Sequence, residues 1–379
     1  MQTIRPTRLE IDLDAICSNY RALRAAAGGS PALAVVKADA YGHGAVPVAR
    51  ALRAAGADMF AVALIEEGIE LREAGIEAPI LMLGATDGPG SLAAAEYGIT
   101  EVVFARDALL ALEGAAKSLG VHAKAHLKID TGMNRIGVRH DEVVAFMTQV
   151  SFHRALDLVG TFTHFATADC AETLDFQIQV KRFIEAVNAL RVAGIDPGIV
   201  HAANSAAAIR YPDVQFDMVR LGISLYGFHP CQQTRTMIDL RPAMSVHARI
   251  TDARLVPMSE GVSYGMNYRS PGSVKICTVP IGYADGLRRG LSGCTDFIVE
   301  GQRFPQVGTI CMDQCMFEVD LRTYGARRKV DPQIGDEVII VGRQGDSVVT
   351  IDDLANRLGT VQHEVAIGFG CSRMPRVYV

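Results

Sequence analysis

Lys37 directly follows the apolar run Leu33-Ala34-Val35-Val36 and precedes Ala38-Asp39-Ala40-Tyr41-Gly42-His43-Gly44. Four consecutive apolar residues predict a strand covered on both faces, and the glycines allow a turn into the next helix. A lysine at the carboxyl end of a buried parallel strand lies where α/β enzymes place their chemistry. Burial there would lower the pKa of the amine and leave a nucleophile. A lone lysine at a strand end is more often simply solvated, so this hypothesis depends on the rest of the chain.

Polar residues that suit a phosphorylated, electron-withdrawing cofactor follow later apolar segments. They are Lys128, Arg135, His164, Ser205 and Arg220. Taken singly, each has a plain structural alternative. A serine can cap a helix, a histidine can lie hydrogen-bonded in the core, and an arginine can form half of an ion pair.

Ser205, Gly222 and Ile223 are the candidates for holding a phosphate. In barrels of βα units, a phosphate is often held by the loops after strands seven and eight. Ser205 offers a hydroxyl, and the amides of Gly222 and Ile223 can be approached closely because glycine has no side chain. Arg220 lies on the neighbouring predicted strand, where burial without a partner would cost too much free energy. A pyridine nitrogen, which accepts a hydrogen bond, is one suitable partner.

Strand-like and helix-like segments alternate from Pro31 to about residue 230. The predicted strands are 32–37, 59–64, 79–84, 100–105, 123–129, 156–165, 198–203 and 216–225. Segments such as 65–75 and 173–194 lie between them, with apolar residues at helical spacing and glycine near their ends. Eight βα units are the number that closes a parallel sheet, so we expect an α/β fold with a (β/α)8 TIM-type barrel.

A second, mostly antiparallel β domain is predicted after the barrel. Short β-branched runs occur at 246–250, 274–280, 297–299, 316–319 and 337–341, and a helix capped by Thr350 is expected at 351–358. We place the domains at 1–232 and 233–379, with residues 1–12 a candidate for pairing with the second domain. Leu9-Glu10-Ile11-Asp12-Leu13 alternates like a strand, and Asp14 is the predicted N-cap of a first helix with apolar positions Ile16, Tyr20 and Leu23.

The composition excludes several classes of protein. The 379 residues carry a net charge of −5, and no basic cluster with interleaved aromatic residues indicates nucleic-acid binding. The start lacks a signal segment and no run of about 18 apolar residues occurs, so we expect a cytoplasmic protein that does not cross a membrane. The eight cysteines show no CxxC pair and no metal-ligand spacing. We expect them to be reduced and mostly buried, and we expect no metal.

Several motifs resemble those of the alanine racemases. In the first domain they are VVKADAYGHG at 35–44, KIDTGMNR at 128–135, THFA at 163–166, ANS at 203–205 and RLGISLYG at 220–227. In the second domain they are VSYG at 262–265, PIGYADG at 280–286 and ICMDQ at 310–314. The resemblance runs through both domains and implies pyridoxal 5'-phosphate as cofactor and a homodimer with shared active sites.

The resemblance implies a two-base reaction at the substrate Cα. Lys37 would carry the cofactor as a Schiff base and act on one face, and Tyr264 from the partner subunit would act on the other. Racemisation needs a proton removed from one face and delivered to the other, and lysine and tyrosine have similar unperturbed pKa values of about 10.4 and about 10. Arg220 would hydrogen-bond the pyridine nitrogen without protonating it. His164 would lie near Tyr264 and Arg220.

The remaining roles are also implied by the resemblance. The residues that would contact the phosphate are Tyr41, Ser205, Gly222, Ile223 and His363. Arg135 and the amide of the partner's Met312 would hold the substrate carboxylate. Lys128 matches a position that many members carboxylate to a carbamate, which would orient Arg135, and Asp313 and Tyr283 are expected to support the site.

Two positions depart from the family pattern. Asp39 stands where many members have asparagine, and the sequence leaves open whether it is ionised against an arginine or neutral. His363 stands where tyrosine is usual and contacts the phosphate. An imidazole can donate a hydrogen bond and can carry charge near neutral pH, so cofactor affinity and its pH dependence are open.

Alternatives to alanine racemisation differ in substrate or in class. A racemase of serine, lysine or a broad range of amino acids is the nearest one, because a one-methylene difference is worth only about 1–3 kcal/mol. A decarboxylase on a related barrel is disfavoured by Tyr264 and the motif at 310–314. A non-catalytic pyridoxal-phosphate carrier is disfavoured by the second domain. The expected product, D-alanine, would supply peptidoglycan synthesis.

Overall fold

The computed structural model describes residues 5–150, 155–320 and 330–379. Within these ranges the chain forms two compact units. One comprises Asp14–Ala40 and Ala45–Arg241, and the other comprises the described residues up to Leu13, Tyr41–Gly44 and Pro242–Val379. The chain begins with strand β1 (Arg8–Ile11) and helix α1 (Leu13–Ala26).

The first unit is a barrel of parallel strands. In its described residues, the barrel strands and one short addition, β7, are β2 (Ala32–Val35), β3 (Met59–Val62), β4 (Ile80–Met82), β5 (Glu101–Val103), β6 (Ala123–Asp130), β7 (Val138–Arg139), β8 (Leu156–Phe162), β9 (Ile199–His201) and β10 (Val219–Leu221). They pair in the orders β10-β2-β3-β4 and β5-β6-β8-β9, with β7 beside β6. Single bridges, Leu81 to Thr100 and His201 to Met218, join the two sheets into a closed ring. Each predicted barrel strand is confirmed: β6 runs one residue past its predicted end, and the other seven strands are shorter than predicted.

Helices follow the barrel strands because their apolar faces cover the outside of the sheet. They are α2 (Ala45–Ala54), α3 (Ile65–Glu73), α4 (Gly88–Glu96), α5 (Arg106–Leu119), α6 (Val143–Val150), α7 (Leu174–Val192) and α8 (Ser205–Arg210). The barrel is filled by side chains: Leu33, Phe60 and Leu127, for example, are completely buried. The closely packed barrel therefore gives rigid support to Lys37 and to the polar side chains at the ends of the other strands.

The second unit is a mostly antiparallel sheet. Its described strands are β11 (Met244–Arg249), β12 (Asp252–Val256), β13 (Gly261–Val262), β14 (Tyr268–Arg269), β15 (Val274–Val279), β16 (Asp296–Val299), β17 (Gln302–Val307), β18 (Cys315–Asp320), β19 (Glu337–Gln344), β20 (Ser347–Val349) and β21 (Arg376–Tyr378). The main order is β12-β15-β18-β17-β16-β19-β11-β1-β21. β1 pairs antiparallel with β11 and parallel with β21, so the start of the chain belongs to this sheet. Helix α9 (Ile351–Leu358) has Thr350 as its N-cap, as predicted, and α10 (Gln362–Gly370) follows it.

Two expectations about individual residues were wrong. Asp14 is not the N-cap of α1, because the helix already begins at Leu13. Asp14 lies in the first turn, where its carboxylate still interacts favourably with the helix dipole. All eight cysteines lie in described parts of the chain and none forms a disulfide, but most are not buried: Cys17, Cys277 and Cys315 are buried, whereas Cys170, Cys294 and Cys371 are exposed. In the ranges that the structure covers, no helix is long and apolar enough to span a bilayer.

Candidate active site

Lys37 lies immediately beyond β2 and is half-buried. The strand before it is covered on both faces, and the Val36 amide, just past its end, donates to the Ala61 carbonyl of β3 at 2.8 Å. Burial lowers the pKa of the Lys37 amine, and the positive charge of Arg135 lowers it further, while Glu67 acts in the opposite direction. The direction is the one predicted from the position of Lys37, and it increases the fraction of nucleophilic amine.

A left-handed turn follows Lys37. The φ angles of Ala38, Asp39, Ala40 and Tyr41 are 51°, 53°, 53° and 54°. Residues with a Cβ pay roughly 1–2 kcal/mol each for this conformation, and they rarely adopt it in succession. Such a turn persists only where its surroundings hold it, and turns of this kind are concentrated at functional sites.

Asp39 ties this turn to the next helix. Its Oδ1 accepts a hydrogen bond from the Ala45 amide at 2.7 Å, at the first residue of α2. A side-chain oxygen here accepts from a helix amide that has no partner within the helix, and the charge of a carboxylate also interacts favourably with the helix dipole. The side-chain oxygen of an asparagine could accept the same bond, so the departure from the family pattern leaves this contact intact.

Arg220 is buried inside the barrel, with 3% of its surface exposed. Its guanidinium donates to His201 Nδ1 at 3.0 Å, to the Thr163 carbonyl at 2.8 Å and to the Ala202 carbonyl at 2.9 Å. Among the described residues, no carboxylate forms an ion pair with it. Burial lowers its pKa to about 9, which still leaves the group charged at neutral pH. A buried arginine was expected to need a partner, and the partners that Arg220 has within the barrel are neutral acceptors.

Two histidines extend this network. His164 Nδ1 lies 3.3 Å from the Arg220 guanidinium, and His201 Nε2 lies 2.9 Å from His126 Nδ1. Burial, and then the charge of Arg220, lowers the pKa of each ring, to about 4 for His126 and well below the ordinary value for His164 and His201. All three imidazoles are consequently neutral at pH 7. His164 is thus close to Arg220, as the sequence implied.

Lys128 lies on β6, paired with Phe162 of β8, and is 5% exposed. Its Nζ is 4.6 Å from the centre of the Phe162 ring. Burial and the charges of Arg220 and Arg135 hold the pKa of this amine well below its ordinary value, although Asp130 raises it. A neutral amine is the form that can react with carbon dioxide, because the ammonium has no free electron pair.

Ser205 and Gly222 are in direct contact. The Gly222 amide donates to Ser205 Oγ at 2.9 Å, and Ile223 begins a short 3₁₀ turn, Ile223–Tyr226. The cap of α8 is Asn204, whose side chain accepts from the Ala207 amide at 3.0 Å. The N-cap alternative for Ser205 is therefore wrong, and its hydroxyl is left to face the Gly222 loop.

Tyr41 and His363 meet in the second unit. Their ring centres are 5.6 Å apart, and Tyr41 is 7% exposed. The backbone brings them together, because a Cβ added at Gly42 would lie 2.9 Å from the Ala366 carbonyl oxygen and 2.9 Å from Gly370 Cα of α10. The structure thus joins two residues that the sequence assigned to one phosphate.

The residues expected to reach a partner subunit are exposed in this chain. Tyr264 is 71% exposed and Met312 is 53% exposed. Tyr264 lies in a turn in which Ser263, Gly265 and Met266 have positive φ. Thr309 Oγ1 fastens this turn by donating to the Tyr264 carbonyl at 2.9 Å.

A buried carboxylate supports the Met312 loop. Asp285 is fully buried and accepts from Arg5 at 2.6 and 2.7 Å and from Arg373 at 2.8 Å. Arg373 also pairs with Asp313, the predicted supporting residue. The neighbouring Tyr283, also predicted as supporting, donates its amide to the Cys311 carbonyl at 3.0 Å. Although burial raises the pKa of Asp285, its hydrogen bonds to the two arginines hold it below the ordinary value.

Sequence reasoning missed Glu67, His126 and Asp285 as parts of the site. Glu67 stands in Leu64-Ile65-Glu66-Glu67, and an acidic residue in the first turn of a predicted helix is a signal of a cap. His126 lies two residues before Lys128 on the same strand, and period-2 alternation places both on one face. Asp285 lies within the motif at 280–286, but nothing in the neighbouring sequence predicts its contact with Arg5.

The charges at the barrel strand ends suit an anionic cofactor. Lys37, Lys128, Arg135 and Arg220 all act on the pKa of His164, and all four lower it. Opposing charge comes from Glu67 near Lys37 and Asp130 near Lys128. The excess is positive, so the residues present fit a phosphorylated group that also binds a carboxylate substrate. Within the described residues, no group of His, Cys, Asp and Glu could hold a metal ion.

Comparison with known proteins covers the whole chain. The family model of the alanine racemase N-terminal domain matches residues 11–230, and that of the C-terminal domain matches residues 243–378. An alanine racemase from Desulfovibrio desulfuricans is 42% identical over 376 residues, 99% of this chain and 98% of its own. The solved alanine racemase from Clostridium difficile has a TM-score of 0.92 at 38% identity, covering 100% of this chain and 97% of that chain. A histidine racemase from Leuconostoc mesenteroides is 30% identical with a TM-score of 0.87, over 99% of this chain and 98% of that one.

Proposed function

This chain belongs to the alanine racemase family and is an isomerase that interconverts L- and D-alanine, and we propose that it does so with pyridoxal 5'-phosphate held on Lys37. The observation that carries the proposal is the position of Lys37. It combines an amine of lowered pKa with a strand end at which Arg135 and Arg220 supply positive charge. When bound, the cofactor withdraws electrons from the substrate Cα and so makes its proton removable.

The chain's own residues hold the cofactor in this proposal. Ser205, with the amides of Gly222 and Ile223, binds the phosphate from the barrel, and Tyr41 and His363 add donors to it. Arg220 would donate to the pyridine nitrogen as a charged group that keeps its protons, because its pKa of about 9 lies well above that of a pyridine.

Proton transfer at the substrate Cα is shared by Lys37 and Tyr264. The lowered pKa of the Lys37 amine favours the form that accepts the proton. The Tyr264 hydroxyl serves the opposite face, and Arg135 and the Met312 amide orient the substrate carboxylate. Lys128, buried and with a depressed pKa, is in our proposal carboxylated to a carbamate that pairs with Arg135.

We propose a homodimer: Tyr264 and Met312 are exposed in this chain, and in this proposal each serves the site of the partner subunit. In a two-fold dimer, a mixed pair of Lys37→Ala and Tyr264→Phe chains has one site with both mutations and one with neither. With free exchange, roughly a quarter of wild-type activity returns. Verified mixed dimers that stay inactive would show that the two residues do not meet.

The substrate range decides between the remaining alternatives. The decisive experiment measures D-amino-acid formation from L-alanine, L-serine, L-lysine and L-histidine, with and without added pyridoxal phosphate. We expect L-alanine to give the highest kcat/KM and the activity to depend on the cofactor. A higher kcat/KM for another amino acid would replace alanine as the main substrate. Supply of D-alanine to peptidoglycan in the cytoplasm is the role that we propose for the product.

A further inference from the structure

We propose that Glu67 is a positioning residue for Lys37, because its carboxylate holds the left-handed turn that directly follows the lysine. This inference rests on the assignment of Lys37 as the cofactor-bearing residue. It adds a residue outside the lysine's own loop, from the next βα unit of the barrel.

The carboxylate of Glu67 bridges two loops. Its Oε1 accepts from the Ala38 amide at 2.6 Å, directly after Lys37. Its Oε2 accepts from the amides of Ala63 and Leu64 at 2.7 and 3.2 Å, at the end of β3. Glu67 lies in the first turn of α3, where the helix dipole favours a negative charge. The same side chain therefore fixes the end of β3 and the residue after Lys37.

The turn at 38–41 needs such a bond from outside. Ala38 is the first of the residues with φ near 50°, and its amide would otherwise lose its partner as the backbone leaves the sheet. The Asp39 contact with Ala45 holds the turn toward α2, and the Glu67 contact holds it toward α3. Together these contacts set the direction in which Lys37 leaves the barrel.

Glu67 also faces Lys37 electrostatically. Its negative charge raises the pKa of the amine, whereas burial and Arg135 lower it. Without the charge at Glu67, the pKa of Lys37 falls further. The proposed role therefore predicts two effects that can be measured separately, one on the hydrogen bond of the Ala38 amide and one on the pKa of Lys37.

Glutamine cannot reproduce the bridge. Both carboxylate oxygens accept amide hydrogens, but a glutamine has only one acceptor oxygen, and its NH2 group would face an N–H donor. Glu67→Gln is thus nearly isosteric yet breaks one side of the bridge. Glu66→Gln is the matched control, because Glu66 is exposed, precedes Glu67 on the same helix and loses the same charge.

The test compares these two variants with wild type as reconstituted holoenzymes. Residue-resolved hydrogen–deuterium exchange measures the Ala38 amide, and racemisation kinetics give kcat, KM and the pH dependence of kcat. In Glu67→Gln we expect faster exchange at Ala38, a loss of about tenfold or more in kcat with little change in KM, and a lower midpoint for the acid limb of kcat. Glu66→Gln should match wild type in all three.

Wild type alone already tests the central contact, should Glu67→Gln not fold. A protected Ala38 amide in the wild-type holoenzyme supports the inference, and an amide exchanging at the rate of an open chain overturns it. It is also overturned if Glu67→Gln and Glu66→Gln behave alike. If borohydride tags Lys37 but Glu67→Gln behaves like wild type, the inference about Glu67 is wrong and the proposed function still stands. A tag on another lysine overturns the proposed function itself.

Discussion

Arg220 donates a hydrogen bond to His201 Nδ1 at 3.0 Å in the middle of the barrel. Because a guanidinium can only donate, His201 Nδ1 must accept, and the ring proton must lie on Nε2. That proton points to His126 Nδ1, 2.9 Å away, so His126 carries its own proton on Nε2. One charged residue thus fixes the tautomers of two buried rings, and these in turn hold the guanidinium in place.

This relationship predicts a nuclear magnetic resonance result. With burial and the Arg220 charge lowering the pKa of His126 to about 4 and that of His201 well below its ordinary value, both rings are neutral at pH 7. Nitrogen-15 shifts of selectively labelled protein should show Nε2–H tautomers for both at pH 7. Exposed His122 provides an internal reference. An imidazolium signal from His201 at pH 6, or the Nδ1–H tautomer, would contradict the assignment.

Tyr264→Phe should retain the cofactor and lose racemisation by about 10²–10⁴-fold, since a proton donor and acceptor is removed from one face only. The variant should still exchange the Cα hydrogen of one alanine enantiomer with deuterium from solvent. Proton resonance spectra of each enantiomer in deuterium oxide report this. Tyr97→Phe, which removes a hydroxyl from a half-exposed tyrosine at the end of α4 and outside the site, is the control. Equal exchange of both enantiomers by Tyr264→Phe means that one base serves both faces.

His363 is predicted to make cofactor retention depend on pH, because its ring lies beside that of Tyr41, the other residue of the second unit that we assign to the phosphate. An imidazole titrates between about pH 5.5 and 7.5, and its charged form binds phosphate better. His363→Tyr should preserve racemisation and weaken this dependence. Equilibrium dialysis of pyridoxal phosphate across that range provides the measurement. His363→Ala with wild-type retention at every pH would remove the residue from the phosphate site.

Glu101 should make the protein less stable as pH rises. It is fully buried on β5, its Oε1 accepts from Ser91 Oγ at 3.2 Å, and burial raises its pKa from 4.5 to about 7. Between these values the unfolded chain ionises and the folded one does not, so the free energy of unfolding falls with pH from about 4.5 to about 7. The loss amounts to about 3 kcal/mol and is constant above that range.

Glu101→Gln tests this directly, because glutamine stays neutral and can still accept from Ser91. Urea unfolding should show the variant more stable than wild type by up to about 3 kcal/mol at pH 8 and little different at pH 4.5. Glu77→Gln, at an exposed position, should leave the pH dependence unchanged. A variant as unstable as wild type at pH 8 would mean that Glu101 is not neutral in the folded protein.

The barrel was largely predictable from sequence because parallel strands covered on both faces appear as short apolar runs. The predicted ends were too long where a run continues past the sheet, as at Lys37 and His164. The edge strand β12 was missed because Arg254 and Leu255 are both exposed, so the strand shows no alternation of apolar and polar residues. Helix α10 was missed because Val361 gives it no side-chain cap and glycines occur within it.

The site was predictable only where chemistry is carried by residue type and strand position. Lys37, Arg220 and Ser205 fall at strand ends, which an apolar pattern locates. The left-handed turn at 38–41 has no local sequence signal, because alanine and tyrosine disfavour it and distant partners such as Glu67 sustain it. Likewise, the contacts of Asp285 join residues about 280 positions apart in the chain.

The most direct test of this account is the identity of the lysine that carries the cofactor. Borohydride reduction of the yellow holoenzyme, followed by peptide mass spectrometry, places the pyridoxyl group on one side chain. The account predicts loss of the visible band and a single adduct on Lys37, with Lys128, the buried lysine of the site, unlabelled. An adduct on Lys128 or any other lysine, or no adduct in a fully active preparation, would contradict it.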